Sequence, residues 1–190
     1  MRKIIVILVT FFFLNFNVYA ETLIKHKKNV DGSDTFDISF IFYSAHDVKK
    51  NFQLLTDFEN IHELNPSAFK TEILSKDVDK LFLKTTFRDC ILFFCREMTM
   101  YEYIISYCEK NNYCIIQSEV IPKDDSPVVS GKTTWKIEND KESEKSIISY
   151  KSKFNAFLTL PPFIGDSIFK KTIKRNLNFL DEKINDLTYE

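Results

Sequence analysis

One unbroken helical stripe runs down the end of the chain. From Asp166 onward Phe169, Ile173, Leu177, Leu180, Ile184 and Leu187 step by threes and fours, on the order of five turns of amphipathic helix. A stripe of that length has to be covered by an equally apolar surface. What precedes it in the sequence therefore decides the fold.

The preceding residues change period. Thr35 to Tyr43 alternates, with Phe36, Ile38, Phe40 and Phe42 on one face, the pattern of a half-buried strand. Ser44 is the expected N-cap of a helix, with Asp47 near its positive end. Val48, Phe52 and Leu55 recur at helical spacing, and Phe58, Ile61 and Leu64 continue past a break at Asp57. Pro66 closes this second short helix, because the residue before a proline is driven out of the α region. Runs at 69–74, 80–87, 97–107, 113–120, 131–138 and 146–154 predict strands, one turn between them falling at Asn111-Asn112. Successive strands with short turns predict an antiparallel meander. Residues 21–34 are polar and mixed in charge, a leader or an edge strand. The expected class is α+β: a curved antiparallel sheet of about seven strands wrapped around a long C-terminal helix, with two short helices after the first strand.

Composition removes several classes of function. The 26 basic and 27 acidic residues leave a net charge of −1, without the basic excess that binding a phosphate backbone needs. Three glycines in 190 residues disfavour a glycine-rich nucleotide loop. No G-x-S-x-G, P-loop, H-E-x-x-H or EF-hand pattern occurs, and His26, His46 and His62 are scattered. No cofactor, no metal and no nucleic-acid partner is expected.

The N-terminus predicts export. Arg2 and Lys3 precede an uncharged run from Ile4 to Leu14, and a more polar stretch ends in Val18-Tyr19-Ala20, an A-x-A-like site. Residues 1–20 are expected to be a signal peptide cleaved after Ala20, directing the chain to the periplasm of a Gram-negative bacterium or out of the cell. An uncleaved anchor is the alternative, against which the run falls short of the roughly 20 apolar residues of a membrane span. Cleavage removes two basic residues and four of the nineteen phenylalanines, leaving a net charge of −3 and fifteen phenylalanines. All four cysteines lie in the exported part. Cys90 with Cys95, and Cys108 with Cys114, each bracket a short loop, so two local disulfides are expected. Free or otherwise paired thiols and a metal site are the alternatives, and C-x4-C and C-x5-C fit zinc spacing poorly.

The segment Leu54-Leu55-Thr56-Asp57-Phe58-Glu59-Asn60 leads to Leu64-Asn65-Pro66, and Pro161-Pro162-Phe163-Ile164-Gly165 leads into the terminal helix. With the β-α-α-β6-α order, these segments resemble the START-like, or SRPBCC, superfamily with its helix-grip fold. The middle segment is similar to the polyketide cyclase and coenzyme Q-binding branches. The resemblance spans about Thr35 to Leu187, so the expected organisation is a signal peptide at 1–20, a leader at 21–34 and one START-like domain at 35–190. It also implies a hydrophobic cavity between sheet and long helix. Members bind lipids, isoprenoid quinones, sterols or aromatic polyketides, and some are enzymes. No catalytic motif of the family carries over residue by residue, so no catalytic residue is named.

Under that fold the candidate cavity residues are Phe40, Phe42, Leu83, Phe87, Trp135, Phe169 and Ile173, since apolar pockets are lined mainly by aliphatic and aromatic side chains. Each is equally suited to ordinary core packing. Tyr101, Tyr103 and Arg88 are the candidates for holding a polar ligand head or for acid–base work. Between Cys90 and Cys95 stand four bulky apolar residues, Ile91, Leu92, Phe93 and Phe94, flanked by Arg88 and Arg96. The segment is either a buried strand or an apolar hairpin tip that caps the cavity or dips into a membrane surface. It and Pro161, Pro162, Phe163 and Ile164 are the candidate entrance. Lys170, Lys171, Lys174 and Arg175 make a basic helix face, either solvated or set against anionic headgroups. The functional expectation is a monomeric periplasmic carrier of a hydrophobic small molecule, a lipid, an isoprenoid quinone or similar, with possible peripheral membrane contact. A cyclase-, aromatase- or hydrolase-like enzyme using the same cavity and a protein-partner-binding module are the alternatives.

Overall fold

The computed structural model describes residues 21–78, 80–91, 94–109, 113–141, 143, 145–158 and 165–186, with the backbone alone for Glu21, 89–91 and 94–96. Eight strands form one curved antiparallel sheet: β1 (Glu21–Lys28), β2 (Asp34–Ser44), β3 (Ala68–Lys76), β4 (Leu81–Ile91), β5 (Phe94–Glu109), β6 (Tyr113–Val120), β7 (Val128–Asn139) and β8 (Ser146–Ala156). The spatial order is β1-β2-β8-β7-β6-β5-β4-β3. The strands β3 to β8 are a meander, and β8 returns to pair with β2. Between β2 and β3 the chain crosses to the far edge through α1 (Val48–Leu55), a 3-10 turn (Phe58–Asn60) and α2 (Ile61–Leu64). The last element is α3 (Gly165–Asn185).

Alternation in β2 sets the inner face. Phe36, Ile38, Phe40 and Phe42 are all buried, each contributing on the order of 1.5–3 kcal/mol through loss of apolar surface to water. Ile137, Ile148, Leu177, Leu180 and Ile184 join the same core, which places the α3 stripe against the sheet. Leu187 lies outside the described residues.

Two details differ from expectation. Residues 21–28 are a full edge strand, paired from Glu21↔Ile41 to Lys28↔Asp34, so the sheet has eight strands. The N-cap of α1 is Asp47, whose carboxylate accepts from Lys50 N at 2.7 Å. Ser44 stays in the β2 ladder opposite Ser146, so the helix starts three residues later. The Ser44 hydroxyl instead donates to the buried Asn51 Oδ1 at 2.9 Å.

Three sets of polar contacts hold α3. At its start His26 Nδ1 stands 2.7 Å from Asp166 Oδ1, while His26 Nε2 meets the buried Asp34 at 2.8 Å. In the middle Asn176 Nδ2 donates to Ser67 Oγ at 2.7 Å. At the end Asn185 Nδ2 donates to Tyr43 O, and Asn185 Oδ1 accepts from Ala45 N, both at 3.0 Å. Gly131 allows β7 and β8 to close: a Cβ there would sit 2.7 Å from Phe154 Cβ and 3.0 Å from Val120 Cγ2.

Candidate functional site

A cavity of about 210 Å³ lies between the inner face of the sheet and α3. Its floor comes from alternate residues of five strands: Leu83, Thr85 and Phe87; Met100, Glu102 and Ile104; Ile116 and Ser118; Thr133 and Trp135; Tyr150. Ile173, Asn176, Leu177 and Leu180 of α3 form the roof, and Phe58, Ile61 and Leu64 close one side. α3 meets β1 and β2 at one edge of the sheet and α2 on its flank.

Most of the wall is apolar; most of its polar groups stand on the sheet, with Asn176 on α3 and Asn65 after α2. Glu102 is the only carboxyl among the described lining residues. Ser118 Oγ donates to its Oε1 at 2.6 Å. Burial pushes the Glu102 carboxyl above the usual range, with the Ser118 hydrogen bond opposing the shift. Beside it Tyr150 packs on Trp135, ring centroids 4.4 Å apart. Burial also raises the Tyr150 phenol; its hydrogen bonds to Ser152 and Thr133 oppose that, and the nearby Glu102 charge adds to it. The Thr133 and Ser152 hydroxyls are themselves 2.9 Å apart. The arrangement can hold an apolar body against the aromatic and aliphatic walls and one polar group against the sheet.

Of the residues singled out in the sequence, Leu83, Phe87, Trp135 and Ile173 line this cavity. Phe40 and Phe42 are packed on each other in the core, ring centroids 5.1 Å apart, with almost no exposed surface. Phe169 packs on Phe36 at 4.2 Å, toward the His26 end of α3. Tyr101 and Tyr103 take the opposite parity from Glu102 on β5 and stack with Phe82 on the outer face, with the Tyr101 hydroxyl bonded to Asp125 at 2.8 Å. That bond, with burial and the Asp125 charge behind it, raises the Tyr101 phenol. Arg88 is exposed, paired with Glu97 and 3.7 Å from the Phe69 ring centroid.

The entrance candidates lie largely outside the described residues: Leu92, Phe93, Pro161, Pro162, Phe163 and Ile164, with the side chains of Ile91 and Phe94. The backbone places Cys90 opposite Cys95 and Ile91 opposite Phe94, so β4 and β5 pair as a hairpin up to that point. The side chains of Cys90 and Cys95 are also outside the described part. Cys108 and Cys114, cross-strand partners on β5 and β6, form a disulfide. On α3 Lys170 bonds Asp166 at 2.9 Å, while Lys171, Lys174 and Arg175 lie on the exposed face.

No protein-family model matches the sequence, and no curated protein is similar to it in sequence. Solved structures are similar in fold. A STAR-related lipid transfer protein of Xanthomonas axonopodis superposes at a TM-score of 0.61 with 9% identity, over 85% of this chain and 98% of that one. Human StAR-related lipid transfer protein 5 gives 0.62 at 10% identity, over 85% and 86%. The Zhui aromatase/cyclase of Streptomyces sp. R1128 gives 0.61 at 13% identity, over 79% and 91%. The chain shares the fold of these proteins, a curved antiparallel sheet gripping a long C-terminal helix.

Proposed function

We propose that this chain is an exported, monomeric binding or carrier protein for a small hydrophobic molecule held between the sheet and α3. The cavity carries this reading: about 210 Å³, mostly apolar walls, and a few polar groups. An apolar cavity of roughly 150 Å³ is enough to hold benzene. The space here therefore suits a body of one or two rings, or a short branched chain, without rearrangement. The names of two similar structures speak of lipid transfer, which supports a lipid-like ligand. The Cys108–Cys114 disulfide suits an oxidising compartment such as the periplasm.

A second reading has one observation in its favour. Glu102 and Tyr150 are both half-buried titratable groups, each shifted upward, on one wall of the cavity, and perturbed groups in a pocket mark candidate acid–base centres. A cyclase- or aromatase-like enzyme would use them on a bound carbonyl compound. Solvent extraction of the purified exported protein followed by mass spectrometry separates the two. A stoichiometric hydrophobic compound, recovered unchanged after incubation with protein, supports the carrier. Conversion of the compound, lost in the Glu102→Gln variant, supports the enzyme. An empty protein that binds no hydrophobic probe overturns both.

A further inference from the structure

Glu102 is an unexpected residue to find at the floor of an apolar cavity. It stands on β5 between Met100 and Ile104, two residues that share its inward parity and also line the space. Its cross-strand neighbours are Leu83 on β4 and Val120 on β6, both apolar. No Lys or Arg occurs among the described lining residues. Among the described residues its one hydrogen-bond partner is the Ser118 hydroxyl, which donates to Oε1. Resting on the carrier reading above, we infer that the cavity selects an uncharged ligand of one or two rings whose single hydrogen-bond acceptor, such as a ketone oxygen, docks on Glu102 Oε2.

The geometry decides between charge classes. A carboxyl without a cationic neighbour in an apolar wall favours its neutral form, and the raised value of Glu102 agrees with that. With Oε1 already accepting from Ser118, the acid proton belongs on Oε2. That oxygen then has a donor and no protein acceptor among the described residues. A ligand that displaces water from this donor without replacing its hydrogen bond loses free energy, and a ligand carbonyl avoids that loss. A carboxylate or phosphate would enter a space with no positive side chain and would be buried unpaired. An ammonium would gain from Glu102 only after the carboxyl ionised inside the apolar wall, which the same burial opposes. The Tyr150, Thr133 and Ser152 hydroxyls lie farther along the sheet and bond one another. Glu102 is the one carboxyl among the described lining residues, and its Oε2 has no hydrogen-bond partner among the described residues.

Four naphthalene probes of similar size test this: naphthalene, 2-acetylnaphthalene, 2-naphthoate and 2-naphthylmethylammonium. Each is titrated into the mature protein at neutral pH, with binding read from the Trp135 indole resonance. The ketone is expected to bind about fivefold or more tightly than naphthalene, the gain of roughly one neutral hydrogen bond. The carboxylate is expected to bind at least about tenfold more weakly than the ketone. Glu102→Gln keeps an N–H donor and retains the ketone preference. Glu102→Leu abolishes it while naphthalene binding persists, which also shows that the variant is folded. Equal binding of ketone and naphthalene, tightest binding of either charged probe, or a ketone preference that survives Glu102→Leu would overturn the inference and leave the carrier reading intact. Failure of all four probes to bind the folded protein overturns the carrier reading and this inference together.

Discussion

Replacing Glu102 with Gln turns its burial into a measurable difference in stability. Gln is nearly the same shape, keeps an oxygen to accept from Ser118, and does not titrate. The ordinary value for the carboxyl is 4.5, and the fold raises it, burial being the cause. A raised carboxyl means that the native state holds its proton after the unfolded chain has released it. Below pH 4.5 both states of the wild type are protonated, and the difference between wild type and variant is constant. As pH rises past that point the unfolded chain ionises first, so the wild type loses stability relative to the variant. The slope cannot exceed about 1.4 kcal/mol per pH unit, the limit for one proton, and it flattens once the native carboxyl ionises. Asp181 is also raised, by burial ahead of its Asn185 hydrogen bond, but it titrates in both proteins and cancels in the difference. Urea unfolding read through the single tryptophan, from mildly acidic to mildly basic pH, supplies both curves. A difference curve that stays flat would mean that water reaches Glu102 freely. One that slopes the other way would mean that the fold stabilises the carboxylate. Either result refutes the reasoning.

Other perturbations probe the frame around the cavity. Gly131→Ala places a Cβ against Phe154 Cβ and Val120 Cγ2; a β-carbon cannot swing aside, so a loss of about 1–3 kcal/mol is expected from overpacking, and an unchanged urea midpoint would contradict it. Opening the Cys108–Cys114 disulfide by the double serine substitution frees a six-residue separation, for an expected loss of about 2 kcal/mol by chain entropy, measured in the same way under non-reducing conditions. His26→Ala leaves the Asp34 carboxylate buried without its partner, an expected loss of about 3 kcal/mol. Adding Asp34→Asn to that variant should recover part of the loss, and additive losses would argue against the pairing.

Some of this frame was legible in the sequence for a simple reason. In β2 one face is aromatic and aliphatic while the other carries Asp37 and Ser39, so period two has one answer and Phe36, Ile38, Phe40 and Phe42 turn inward. The α3 stripe is similarly one-sided. Residues 21–28 gave a weaker signal, because an edge strand with polar side chains has little alternation to show, and pairing with β2 supplies its order. The start of α1 depended on competition for Ser44 between the sheet ladder and the cap. Its backbone pairs with Ser146, and no local pattern within 44–48 contains that distant partner.

The site was harder to read because β5 is apolar on both faces. Tyr101, Tyr103, Ile105 and Tyr107 point one way and Met98, Met100, Glu102 and Ile104 the other, so hydrophobicity alone assigns neither face to the core. A one-residue choice then moves every side chain across the sheet, which is how Tyr101 and Tyr103 came to be expected in the cavity and Glu102 was passed over. The deciding information lies in the neighbours. Leu83 on β4 pairs with Glu102, and Ser118 on β6 bonds it. The outward Tyr101 and Tyr103 find Phe82 on β4, with Lys80 and Lys84 over their rings at 5.8 and 5.9 Å. Lysines above the tyrosine rings mark a solvated surface, since an ammonium keeps its water there. Glu102, the one charge between Met98 and Tyr107, was therefore the informative residue: an acidic side chain in phase with Met100 and Ile104 belongs either to the solvent face or to a site, and the tyrosine–lysine layer already occupies the solvent face.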